Sequence, residues 1–167
     1  MMKLIIMPFF LFFLFSNYPL QLADDVQEND PQVYWISLSE AQKQSSEDGK
    51  PIFVFVEAEW CGICKRMLRE VFPTEKISTM LSDKFHVVSI DLDSKNETFF
   101  NGDSITERNF AKKMNVQQTP TTIFIDKNGD IMGNMPGFLN ETELTTLLNY
   151  VLSDEFGDLS FEEFQGK

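Results

Sequence analysis

Apolar and polar residues fall into blocks along the chain, and each block has its own length and period. Leu4–Phe15 is an uncharged, almost wholly apolar run of 12 residues, preceded by Lys3 and followed by Ser16, Asn17 and Pro19. A helix that spans a bilayer wants about 20 apolar residues. A basic start, an apolar stretch of about 7–15 residues and a small-residue exit instead describe a secretory signal. Residues 1–23 are therefore read as a signal peptide, cut after Ala23 or after Ser16, or kept as an uncleaved anchor. No Cys follows the run directly, which argues against a lipidated exit, and residues 24–32 are read as a disordered leader.

Beyond the leader the periods alternate between those of helix and strand. Val33–Ile36 reads as a short strand edging a sheet. Ser39–Asp48 is amphipathic, with Ser39 and Gln42 as a capping box and Gly49 as its stop. Pro51-Ile52-Phe53-Val54-Phe55-Val56 is a continuous β-rich apolar run, the mark of a buried strand. From Gly62 onward, Ile63, Met67, Leu68 and Val71 recur at helical spacing until Pro73 ends the helix. Glu75–Ser82 predicts one or two further helical turns, His86–Leu92 a strand, and Ser94–Ser104 a polar loop. Thr106–Met114 reads as a helix capped by Thr106. Strands at 121–126 and 130–135 are joined through Asn128-Gly129, a tight-turn signal. Asn140–Leu152 is the last main helix, with Asn140 as cap and Glu143 three residues on. The order α-β-α-β-α-β-β-α has no internal repeat and no second domain, so 33–153 is one α/β domain. The tail 154–167 is acidic, yet Phe156, Leu159, Phe161 and Phe164 with a Ser160/Glu163 capping box predict a short helix that packs back.

Composition narrows the function. The 167 residues carry 26 acidic and 14 basic side chains, a net charge of −12 that becomes −13 once Lys3 leaves with residues 1–23. Nothing in such a balance neutralises phosphates in bulk, so nucleic acid is excluded as a partner. Only two cysteines are present, Cys61 and Cys64, in Trp60-Cys61-Gly62-Ile63-Cys64-Lys65. A disulfide across two residues closes too small a loop to stabilise much. A zinc site needs two more soft ligands, and the chain offers one His, His86, inside a strand-like run. A redox dithiol is the better reading, with no metal and no cofactor. Cys61 lies where a strand ends and a helix begins, where backbone N–H groups and the helix dipole favour a thiolate. Cys61 is the expected nucleophile, and Cys64, one turn inward, the expected resolving thiol. Lys65 and Arg66 either add to that positive field or are simply solvated.

Ala58-Glu59-Trp60-Cys61-Gly62-Ile63-Cys64-Lys65 resembles the thioredoxin active site, with Ile63 in place of the usual Pro. Val116-Gln117-Gln118-Thr119-Pro120-Thr121-Thr122-Ile123-Phe124-Ile125-Asp126 resembles the cis-proline strand of the same family, and Gly137 its late glycine. The resemblance covers about residues 33–153 and is nearest to exported SoxW-like thioredoxin-related proteins. These share a Glu four residues before the first Cys and a tail similar to Leu159-Ser160-Phe161-Glu162-Glu163-Phe164. It implies a thioredoxin fold: a central mixed β-sheet flanked by helices, here with a short C-terminal helical extension. It also implies a cis bond before Pro120, with the Thr119 backbone set against the dithiol to pair with an incoming peptide. The Trp60 ring is expected beside Cys61, shaping the docking surface.

In this family a buried acid moves the resolving thiol's proton; the corresponding position here is Phe55. Glu57, two residues on and on the same strand face, either substitutes as a proton acceptor for Cys64 or is a strand-end acid. His86 is read as structural. The fold alone does not set the direction of electron flow. Ile63 adds neither hydrogen bond nor charge to the Cys61 sulfur, which argues against a strongly oxidising site. The expectation is a monomeric, periplasmic or otherwise exported thiol:disulfide oxidoreductase that reduces protein disulfides. The resemblance further implies that it is recharged by a DsbD-like membrane electron donor. A disulfide oxidase or isomerase and a metal-binding or metallochaperone module are the alternatives.

Overall fold

The computed structural model describes residues 32–167. The expected signal peptide, 1–23, and residues 24–31 of the expected leader lie outside the described residues. Helix α1 (Leu38–Asp48) opens the domain and ends at Gly49, whose φ of 79° suits a glycine stop. Its cap is Ser37, not Ser39: the Ser37 hydroxyl accepts the Glu40 N–H at 3.2 Å. Capping two residues earlier makes Leu38 the first helical residue, with its side chain buried, and that burial outweighs the Ser39/Gln42 box. The expected strand at Val33–Ile36 is not formed. The segment runs beside the sheet with one bond, Ile36 N–H to Val87 carbonyl at 2.9 Å. Trp35 holds it there by packing on Phe72 and Phe55 at 5.4 and 6.1 Å.

Strand β1 (Ile52–Glu57) is buried on both faces up to its last residue. It therefore takes an interior place, paired in parallel with β2 (His86–Asp91) and antiparallel with β5 (Thr121–Ile125). Strand β6 (Ile131–Pro136) completes the sheet in the order β2-β1-β5-β6. Alternation along β1 then divides the core in two. Phe53 and Phe55 face a cluster with Phe72, Phe85 and Phe124, in which the Phe55 and Phe72 rings meet edge-on at 4.9 Å. Helices α2 (Gly62–Glu70), α3 (Glu75–Lys84) and α5 (Glu141–Leu152) cover this side. Ile52, Val54 and Val56 face the other side, against α1 and α4 (Glu107–Lys113). The Thr106 cap of α4 and the Asn140/Glu143 capping box of α5 form as the sequence predicts.

The segment Ser94–Ser104 is not a plain loop. It folds a second, two-stranded sheet from β3 (Glu97–Phe100) and β4 (Asp103–Thr106). Asn101 and Gly102 both have positive φ at its tip, as a tight hairpin turn demands. Phe100 drives the pairing by burying its ring edge-on against Phe110 at 5.2 Å. Gln42 clasps the tip to α1, its amide donating to the Phe99 carbonyl and accepting the Asn101 N–H, each at 2.9 Å. The Asn101 amide also donates to Gly129 in the β5–β6 turn at 3.1 Å, and a Cβ on Gly129 would lie 2.1 Å from its oxygen.

His86 is buried and structural as expected. Its Nε2 lies 3.0 Å from Asp48, whose carboxyl is held below its ordinary value of 3.8 by that bond and by the Lys50 N–H. The tail forms α6 (Phe161–Gln165), capped by the Ser160/Glu163 box. It folds back so that Phe156, Phe161 and Phe164 surround Tyr150 at ring distances of 5.1, 5.6 and 5.3 Å. The Tyr150 hydroxyl donates to the Leu159 carbonyl at 2.6 Å, tying the tail to α5. Tyr150→Phe should lower unfolding free energy by about 1 kcal/mol. In urea the midpoint should fall with an unchanged slope.

Candidate active site

The end of β1 delivers the two cysteines to the surface. After Glu57 the chain turns through buried Ala58, and the Cys61 N–H donates to the Ala58 carbonyl at 2.9 Å. Cys61 keeps an extended backbone and is itself the N-cap of α2. Its sulfur does the work that Ser, Asp or Asn does at other caps, accepting the Cys64 N–H at 3.1 Å. A disulfide joins Cys61 to Cys64, with the Cα atoms 5.3 Å apart. Cys61 is 5% exposed and Cys64 fully buried, so only the first is open to attack from outside. The flanking side chains are the reverse of a core: Trp60 is 68% and Ile63 55% exposed. Two large apolar surfaces therefore border a nearly buried sulfur, an arrangement that suits docking of another chain.

The peptide bond before Pro120 is cis, and the Pro120 carbonyl accepts the Gly137 N–H at 2.8 Å. Gly137 has φ of 102°, a left-handed value that favours glycine at this position. Thr121 pairs with Val56, which puts Thr119 and Pro120 at the end of the sheet where β1 leads into Cys61. The Thr119 hydroxyl is buried there without a partner.

Glu57 lies on the Phe55 face of β1, the face that holds the cysteines. Its carboxylate accepts the Ser89 hydroxyl of the neighbouring strand at 2.8 Å. Phe55 itself is fully buried and offers no polar atom. Arg66 is engaged along its own helix, 2.8 Å from Glu70 and stacked 4.6 Å from the Phe138 ring. Arg66, with Arg69, holds the Glu70 carboxyl below its ordinary value of 4.5. Lys65 is exposed. Among the described residues no group of three His, Cys, Asp or Glu side chains could hold a metal ion. Among them, too, no helix is long and apolar enough to cross a membrane.

One neighbour of the site escaped the sequence reading. The Trp60 indole N–H donates to Asp93, in the loop after β2, at 2.7 Å. Thirty-three residues separate the two, and no spacing in the chain announces the pair.

A thioredoxin-like domain family model matches residues 38–152. Disulfide bond reductase DsbH of Chlamydia pneumoniae is 25% identical over 120 residues, covering 68% of this chain and 70% of that protein. Thiol:disulfide interchange protein DsbD of Haemophilus ducreyi is 31% identical over 110 residues. That match covers 65% of this chain but only 18% of DsbD, a far longer protein. A solved thioredoxin-fold protein from Helicobacter pylori superposes with a TM-score of 0.63 at 17% identity, covering 70% of this chain and 78% of that one. That last likeness is one of fold.

Thr122 pairs with Phe55 across β5 and β1, and its hydroxyl is buried, 1% exposed as a residue, without a partner. Thr122→Val keeps the shape and removes the unpaired hydroxyl. It should raise stability by about 1 kcal/mol, read from thermal or urea unfolding.

Proposed function

The chain belongs to the thioredoxin-like domain family, whose relatives include thiol:disulfide oxidoreductases, and from that membership we propose that it works as an exported reductase of protein disulfides. The observation that carries the direction is the surrounding of the Cys61 sulfur. One backbone N–H and the start of α2 stabilise a thiolate there, and the side chains of the intervening Gly62 and Ile63 supply neither donor nor charge. Strong oxidants of this fold are strong because their reduced thiolate is heavily stabilised. A lightly stabilised thiolate belongs to a more reducing pair.

In the proposed cycle the Cys61 thiolate attacks one sulfur of a substrate disulfide and releases the other as a thiolate. Cys64 loses its proton and attacks Cys61, which forms the Cys61–Cys64 disulfide and frees the second substrate sulfur. The substrate gains two electrons and the protein's dithiol loses them. Trp60, Ile63, Thr119 and Pro120 form the surface against which the substrate chain lies. Glu57, on the cysteines' face of β1, is assigned as acceptor of the Cys64 proton, with Ser89 orienting its carboxylate. A DsbD-like membrane donor returns the electrons. Export rests on the basic start and apolar run of residues 1–23.

Equilibration with glutathione should place the pair at about −200 to −270 mV, well below the −120 mV of a strong oxidant. The purified protein should also speed insulin reduction by dithiothreitol, and Cys61→Ser should abolish this. A potential near −120 mV would make it an oxidase. Glu57→Gln should slow release of the mixed disulfide by about a hundredfold at neutral pH. The loss should shrink at alkaline pH, where the Cys64 thiol ionises unaided. Unchanged rates across pH would remove Glu57 from the mechanism.

A further inference from the structure

The exposed indole beside the nucleophile does not stand free. Trp60 is 68% exposed, and its ring position is set on the polar side by one hydrogen bond, to Asp93 Oδ2 at 2.7 Å. A wall for a docking partner is useful only if it is already ordered, because ordering it at the moment of binding subtracts from affinity. Asp93 is itself more than half exposed, so what fixes the indole is whatever fixes the 91–94 loop.

That loop is held by the first turn of α4. Arg108 Nη2 donates to the Asp93 carbonyl at 2.8 Å and stands 3.8 Å from its carboxylate. The Arg108 backbone N–H donates to the Ser94 carbonyl at 3.0 Å. Its neighbour Glu107 accepts the Asp91 N–H at 3.0 Å, and the Asp93 N–H closes onto the Asp91 carboxylate at 2.9 Å. The β3–β4 hairpin leads directly into this turn, with Thr106 as its cap. The hairpin therefore has a direct line, through Arg108 and Asp93, to the residue preceding Cys61.

We propose that Arg108 is a positioning residue that acts through Asp93 to hold the Trp60 indole as a preordered wall for protein disulfides. The proposal rests on the reading of Cys61–Cys64 as the reducing site. It adds that affinity for a protein substrate is set partly from α4, a helix on the far side of the sheet from α2.

The test is insulin reduction by the purified protein, resolved into kcat and KM, for Arg108→Ala, Asp93→Ala and both together. Either single change should raise KM by about three- to tenfold, the loss expected from one hydrogen bond, with kcat within about twofold. The double variant should be no worse than Asp93→Ala alone, because both act on one chain of contacts. In a Trp60→Ala background Arg108→Ala should have no further effect, and Arg108→Lys should recover part of the loss. With 5-fluorotryptophan in place of tryptophan, the Trp60 fluorine resonance should shift or broaden in both single variants. An effect of Arg108→Ala that persists without the Trp60 ring, a fall in kcat at constant KM, or an unmoved Trp60 resonance overturns the proposal. If Arg108→Ala does not fold, Arg108→Gln, which keeps the stem and removes the guanidinium, carries the same test. If the unaltered protein reduces no insulin, the functional reading fails, and the fluorine spectra still decide whether Arg108 positions Trp60.

Discussion

Strand β1 has apolar side chains on both faces, and most of the architecture follows from hiding them. A strand of that kind cannot sit at an edge or face water, so it needs a partner on each side and helices above and below. The parallel and antiparallel neighbours, β2 and β5, meet the first need. The second divides the helices between two cores, with the phenylalanine-rich cluster beneath α2, α3 and α5 and the branched aliphatic cluster beneath α1 and α4. With β1 fixed in the interior, its C-terminal end is fixed as well. The chain leaves that end through Ala58 and reaches Cys61 with little freedom left to lose.

At Cys61 one atom serves both fold and chemistry. The sulfur that caps α2 is half of the disulfide, and the backbone N–H it accepts is one that a helix N-terminus would otherwise leave unpaired. The helix start and the reactive group thus stabilise each other without any charged side chain at the sulfur. The face below is unusually apolar. Phe55 is fully buried there, and the polar side chains that β1, β2 and β5 place on that face include Thr122, with its unpaired hydroxyl, and the Glu57–Ser89 pair toward the strand end. Glu57 stands one strand repeat beyond Phe55, half-buried at the rim of that face, where hydration offsets the cost of a charge.

What the sequence disclosed and what it concealed divide along a physical line. Periodicity located β1, β2, β5, β6 and the main helices because burial of one face is written into side-chain order. The dithiol and cis-proline segments were legible because local motifs specify local geometry. Ser94–Ser104 reads as a loop because its polar residues outnumber the two that matter to the hairpin, Thr98 and Phe100, although Asn101-Gly102 is a turn signal of the same kind as Asn128-Gly129. The α1 cap moved from Ser39 to Ser37 because burial of Leu38, a tertiary matter, decided between two equally good capping residues. Val33–Ile36 has strand-forming residues but only one bond to the sheet edge, and its hold comes from the Trp35 ring. Asp93 and Arg108 could not be found at all, since side chains joined across 15 and 33 residues leave no mark in spacing.

The charge of the chain deserves the same separation of local from global. A net −12 suggests an acidic molecule throughout, yet the helix that starts at the dithiol carries Lys65, Arg66 and Arg69 against one acid, Glu70. At physiological salt a charge is screened over about 8 Å. A chain approaching from a distance therefore meets the acidic average, whereas a chain in contact with Cys61 meets apolar Trp60 and Ile63, the basic residues of α2, and Asp93 at the indole N–H. For the proposed reductase, overall charge sets the rate of encounter and this short mixed border sets which chains stay. The two cysteines are common to a wide family. Trp60 belongs to the same motif, but Asp93, which holds its indole, is set by the loop after β2 and by Arg108 at the start of α4, outside that motif.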